Sequence, residues 1–258
     1  MTENRYRIVT AEKDRRIVRE AESHIPHEWP EFMLHDKAAD LFPALYEKIP
    51  DCQFVVLDTQ SDEAVAIGNS VPLEWTDPID GLPDTGWDWA IRKGVEDYDN
   101  RRNTNLLCAL QIVVFSPYRG KGLSHLGVEA MRHICRDNGL AFLIAPVRPS
   151  AKCDHPHVAI HDYITWKNDE GLPKDPWLRV HVRAGARIVK PCERAMEISG
   201  TAAEWHRWTG ISFDRSGAYI VPGALVPVAY DGESDIARYI EPNVWMAHAP
   251  LVRTSEQS

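Results

Sequence analysis

Arg119, Gly120, Lys121, Gly122, Leu123 and Ser124 stand together where an apolar run stops and an amphipathic one begins. Two glycines without a Cβ let the backbone turn sharply and let a ligand come close to it. A helix starting here exposes N–H groups that have no partner within the helix, and its dipole favours negative charge. Arg119 and Lys121 add cationic side chains beside that place. These residue types in this order suit a phosphate or pyrophosphate. The familiar nucleotide loops fit less well. No GxxxxGK[ST] string occurs, and the GxG of Gly120–Gly122 is not completed, because a dinucleotide fingerprint needs glycine where His125 stands.

The elements around the turn follow from periodicity. Leu106–Phe115 (LLCALQIVVF) predicts a strand leading into it. Gly122–Asp137 predicts the helix leaving it, ended by Asn138-Gly139, and Ala141–Val147 (AFLIAPV) predicts a second buried strand. Upstream, residues 10–24 predict an amphipathic helix with Thr10 as its cap, and Lys37–Lys48 a second helix. Cys52–Leu57 and Ala64–Asn69 predict a hairpin, Glu74–Gly86 a loop and Trp87–Tyr98 a helix. Downstream, residues 148–175 read as a long connection. Asp175 and Pro176 then start a helix that Gly185 ends. Short strands are expected at Arg187–Lys190, Ala195–Ile198, Tyr219–Val221, Leu225–Tyr230 and Val244–Ala247, with a Trp-bearing segment at Ala202–Trp208.

The string PYRGKGLS after an apolar strand resembles motif A of the GNAT superfamily of acyl-CoA-dependent acyltransferases, [QR]xxGx[GA], with Arg119, Gly122 and Ser124 at its defined positions. Ser124 replaces the usual Gly or Ala, and Pro117 lies one residue nearer the arginine than in the common form. The resemblance covers residues 50–199. It implies an α+β sandwich whose central mixed sheet is splayed by a bulge, with acetyl-CoA or another short acyl-CoA as co-substrate and no metal. Ile112, Val113 and Val114 would offer backbone groups to the pantetheine amides. Arg119, Gly120, Lys121, Gly122, Leu123 and Ser124 would hold the pyrophosphate, and Ala141–Val147 would open a channel for the thioester. An amine of a small-molecule acceptor would attack that thioester directly.

The resemblance also points to a residue that would protonate the leaving thiolate. His181 stands at the family's tyrosine position in HVRAGA, and an imidazole can act as an acid near neutral pH. Packing on a helix face is the other reading of His181. Lys174 stands where the family often carries Asn. Glu74 is a candidate for binding the acceptor amine or relaying its proton, with Asp77 as its rival. A non-catalytic acyl-CoA-binding sensor or partner-binding module is the alternative to an enzyme.

The remaining features point to a scaffold rather than to chemistry. His155, His157 and His161 form HxHxxxH among prolines and read as a surface segment, not a metal site. Cys153 has no covalent role in such a transfer, and Trp205 and Trp208 read as core. A formal charge of −9 leaves no basic face for nucleic acid. The charged N-terminus and the short apolar runs predict neither a signal peptide nor a membrane span. Five scattered cysteines without CxxC spacing suit a reducing cytoplasm. With 44% hydrophobic residues and nine tryptophans, a large core is expected. The 258 residues are expected to form one domain: a core over 50–199, a helical extension over 1–49 and a C-terminal extension over 200–258. The resemblance implies that such extensions shape an acceptor pocket or an oligomer interface, which allows a homodimer.

Overall fold

Alternating residues in YRIVT form an edge strand, β1 (Tyr6–Thr10), ahead of the first helix. In the computed structural model, which describes residues 5–249, α1 (Arg15–Glu22) is capped by Asp14, whose carboxylate accepts from the Arg16 and Ile17 amides. Thr10 is therefore a strand residue rather than a cap. The helix expected over Lys37–Lys48 is split: residues 37–41 form a tighter turn, and α2 (Phe42–Lys48) begins with Pro43 in its first turn.

The hairpin β2 (Gln53–Asp58) and β3 (Glu63–Leu73) forms as expected, and β2 is buried along its whole length because both its faces are covered. Next come α3 (Gly86–Asp99), β4 (Leu106–Val114), α4 (Leu123–Asp137) and β5 (Phe142–Val147). A short α5 (Ile160–Tyr163) precedes α6 (Pro176–Arg183), where Asp175 caps the amides of Trp177 and Leu178. The two short strands expected near 187–198 are one long strand, β6 (Ala186–Gly200), interrupted by register shifts. Then follow α7 (Ala202–Thr209), β7 (Gly217–Tyr219), β8 (Val228–Asp231) and β9 (Ile236–His248).

The sheet runs β1-β2-β3-β4-β5-β9-β8-β7, with β6 on the other edge of β9. Among the described residues only β4 and β5 pair in parallel. The expected core boundary at residue 199 needs correction, because β9 sits between β5 and β6 and is a central strand. The first half of β9 was unexpected because it carries Glu241 and Asn243. Both are buried, and Glu241 is matched by Arg148 at 2.9 Å and by the Tyr239 hydroxyl at 2.7 Å. Among the described residues no helix is long and apolar enough to cross a membrane.

Two features open the middle of the sheet. β4 and β5 pair only over Leu106–Cys108 and Phe142–Ile144, and then diverge. In the β3–β4 ladder, Asn69 pairs Gln111 while Ser70 pairs Ala109, which leaves Leu110 as a bulge. The displaced Leu110 carbonyl accepts the indole N–H of Trp87 at 2.8 Å, so that carbonyl keeps a partner.

Candidate active site

The turn between β4 and α4 is built by backbone conformation. Gly120 and Gly122 lie at φ +78° and +79°, and a Cβ on either would meet nothing within 4 Å. Close packing is thus not the reason for glycine here. The left-handed backbone is, and it leaves open space beside the start of α4. No side chain caps that helix start, so its first amides are available to a ligand. Ser124 follows them on the cleft side. The exposed Lys121 ammonium rests 5.0 Å from the centre of the Tyr118 ring. Arg119 is held by Glu28, with Nη2 donating to Oε2 at 2.6 Å. Glu28 also accepts from the Ser116 amide and hydroxyl. Burial alone would raise the Glu28 carboxyl. The Ser116 bonds and Arg119 override that and hold it below its ordinary value.

From this turn a cleft of about 830 Å³ runs along the opened sheet. One wall is Ala109–Val114 of β4, including Ile112, Val113 and Val114, and the other is Ala145–Val147 of β5. Beyond Cys108 the β5 side of β4 has no strand partner, so its amides and carbonyls on that side can pair an extended, amide-bearing ligand. Gly120, Gly122, Leu123 and Ser124 lie at the mouth beside Arg119, while Lys121 stands outside the lining. These residues fit a coenzyme A molecule: a cationic turn for its phosphates, then a strand edge for its pantetheine.

His181 of α6 lines the same cleft and is nearly fully buried. Its Nδ1 lies 3.0 Å from Nε2 of His248, whose own Nδ1 is 3.4 Å from the Ala184 carbonyl. A carbonyl only accepts, so His248 carries its proton on Nδ1 and accepts at Nε2. His181 then carries its proton on Nδ1 and leaves Nε2 as an acceptor. Burial and the neighbouring ring push His181 down to about 3, and burial pushes His248 down to about 4, so both rings are neutral near pH 7. The acid role expected of His181 needs a proton on Nε2, which this arrangement does not supply.

Glu74 is not brought to this cleft. Its amide donates to Asp97, and its side chain lines a separate charged groove with Arg92, Lys93 and Arg194. Asp77 is exposed on the loop after β3. The carboxylates that do line the cleft are Glu22, the last residue of α1, and Glu28, on the segment that follows it. Glu22 is half-buried, forms no ion pair among the described residues, and is raised by burial against the opposing charge of Arg19. Sequence reasoning missed both; only the expectation that the front extension shapes an acceptor pocket pointed their way.

The other singled-out residues lie apart. His161 binds Glu193 at 2.6 Å, His155 packs on Trp166, and no group of three or more potential metal ligands forms among the described residues. Trp205 is fully buried against Phe32, and Trp208 stacks on His35.

A sheet opened between two parallel neighbours, with a glycine turn at its mouth, defines a fold that can take a long, phosphate-bearing co-substrate such as an acyl-CoA. The fold matches the loading GNATL domain of CurA from Lyngbya majuscula with a TM-score of 0.61 at 18% identity, over 95% of this chain and 98% of that one. It also matches the GphF GNAT-like decarboxylase in complex with isobutyryl-CoA, with a TM-score of 0.55 at 16% identity over 95% and 99%. No family model matches the chain. Arginine N-acetyltransferase avaD of Aspergillus versicolor is 34% identical over 247 residues, covering 85% of this chain and 84% of the relative. The chain belongs to the GNAT superfamily of acyl-CoA-dependent N-acetyltransferases, and it moves an acyl group from acyl-CoA to an amine.

Proposed function

We propose that the acceptor is a small arginine-like cation and that the donor is acetyl-CoA. The observation that carries this reading is Glu22, a half-buried carboxylate in the cleft wall that forms no ion pair among the described residues and feels only the more distant charge of Arg19. A partly desolvated carboxylate without a paired cation favours a ligand that brings one. The similarity to an arginine N-acetyltransferase supports the same acceptor class.

Acetyl-CoA supplies the thioester carbonyl and the departing thiolate. The β4–α4 turn anchors the donor's phosphates through Arg119 and the backbone of Gly120–Ser124, and Ile112–Val114 align its amide arm. Glu22 binds the positive charge of the acceptor and fixes its approach. His181, as a neutral ring with Nε2 free to accept, takes a hydrogen bond from the attacking nitrogen and turns its lone pair toward the carbonyl. As the nitrogen–carbon bond forms the carbon–sulfur bond breaks, the nitrogen's proton is taken up at Nε2 and the coenzyme leaves as its thiolate. Glu74, in a different groove, has no part in the transfer.

The test is a thiol-release assay with acetyl-CoA against arginine, agmatine, lysine and neutral amines of similar size. Cationic acceptors should be preferred, and Glu22→Gln should raise their KM while leaving that of acetyl-CoA unchanged. Equal use of neutral and cationic amines would reject the reading.

A further inference from the structure

Beside the β4 bulge, four polar side chains form a chain of hydrogen bonds whose direction is fixed at one end. Gln53 Nε2 donates to two carbonyl oxygens, those of Ile49 and Ser70, both at 2.9 Å. Carbonyls only accept, so the Gln53 amide has one orientation and its Oε1 must receive. It receives from Asn69 Nδ2 at 3.0 Å, and the same nitrogen donates to the Tyr46 hydroxyl at 2.9 Å. Asn69 Oδ1 is then the acceptor for Gln111 Nε2 at 2.8 Å. The polarity passes along the chain and leaves Gln111 Oε1 as its terminus, with no donor among the described residues.

Gln53 and Asn69 are fully buried and Tyr46 nearly so, whereas Gln111 is partly exposed and lines the cleft. Strand alternation sets which side it serves. Ile112 packs toward Gly127 of α4, while Val113 packs with Val18 and Ala21 of α1, and Gln111 shares the side of Val113. That is the side from which α1 contributes Glu22. The negative charge of Glu22 is felt at Tyr46, whose hydroxyl belongs to the same chain of bonds.

We infer that Gln111 is an acceptor-binding specificity residue: its Oε1 takes an N–H of the bound amine, while Glu22 balances the charge. Gln53 and Asn69 are positioning residues that keep the oxygen, and not the amide nitrogen, directed at the ligand. A group rich in N–H donors and carrying positive charge matches an oxygen acceptor beside a carboxylate. The inference rests on the acyl-transfer reading of the cleft and names part of its acceptor wall.

The test compares wild type, Gln111→Met and Gln111→Glu by steady-state kinetics and thermal melting. It uses whichever amine the wild type acetylates, so failure with arginine would sink the acceptor assignment and leave this test intact. Gln111→Met should raise the acceptor KM about tenfold or more, with acetyl-CoA KM within about twofold of wild type. Gln111→Glu keeps an oxygen toward the cleft and should recover most of that loss for a cationic amine. Gln111→Glu should melt lower under either reading, because its second carboxylate oxygen opposes Asn69 Oδ1; a merely structural role makes it also the variant with the highest acceptor KM. That ranking, an unchanged acceptor KM in Gln111→Met, or both KM values rising together would overturn the inference.

Discussion

Replacing Gly122 by glutamate changes two quantities that the structure separates. The first is backbone strain. Gly122 lies at φ +79°, where an L side chain costs about 1–2 kcal/mol, and nothing stands within 4 Å of its Cβ to add a clash. Gly122→Ala and Gly122→Glu should therefore lose similar stability, with melting points lower by about 2–4 °C per kcal/mol. The second is charge. A carboxylate about 5 Å from a phosphate charge costs about 1 kcal/mol in water and about 3 at an effective dielectric of 20. The turn is exposed, so the low end applies to each of two phosphates, and about 2 kcal/mol becomes a roughly thirtyfold weaker Kd. Tryptophan fluorescence titration with coenzyme A reads this directly, beside thermal melts of the three proteins. A Gly122→Glu protein that binds coenzyme A within twofold of wild type would refute the placement of the phosphate site.

Glu28→Gln removes the carboxylate facing Arg119 and should tighten coenzyme A while lowering the melting point, because the ties from Ser116 and Arg119 weaken. The wild-type carboxyl titrates below its ordinary 4.5, so its stabilisation is present above that pH and fades as pH falls; the variant's melting curve should lack this acid-limb component. His181→Ala should lower kcat and leave coenzyme A affinity intact; weaker coenzyme binding with unchanged kcat would reject its contact with the acceptor nitrogen. The His181–His248 pair sits far below the ordinary 6.5, so unfolded chains take up protons that the native pair refuses. Its contribution is complete above pH 6.5 and is lost progressively toward pH 4 and 3. His248→Gln, which keeps an acceptor for His181, should flatten that slope by up to about 1.4 kcal/mol per pH unit in denaturant titrations.

The phosphate turn was legible because its chemistry lies in consecutive residues: Arg119 to Ser124 carry the charge, the positive φ and the helix start together. The start of α6 was legible for the same reason, with Asp175 and Pro176 adjacent. The acceptor wall was not. Glu22 ends a helix and Gln111 lies in mid-strand, far apart in sequence, and His248 of β9 reaches the cleft only through His181. Glu74 was misplaced because residue order shows only that a carboxylate follows the second hairpin strand, while the α3 residue Asp97 ties its backbone beside a different groove. The direction of the Gln53–Asn69–Gln111 chain depends on the β2–β3–β4 register, which residue types alone do not reveal.

The most direct test is mass analysis of the products formed from isotopically labelled acetyl-CoA and arginine, with free thiol counted in the same samples. The account predicts a labelled acetyl group on a nitrogen of arginine, formed in equal amount to free coenzyme A and lost in Gly122→Glu. Thiol release without an acetylated amine, or acetylation that survives Gly122→Glu unchanged, would contradict it.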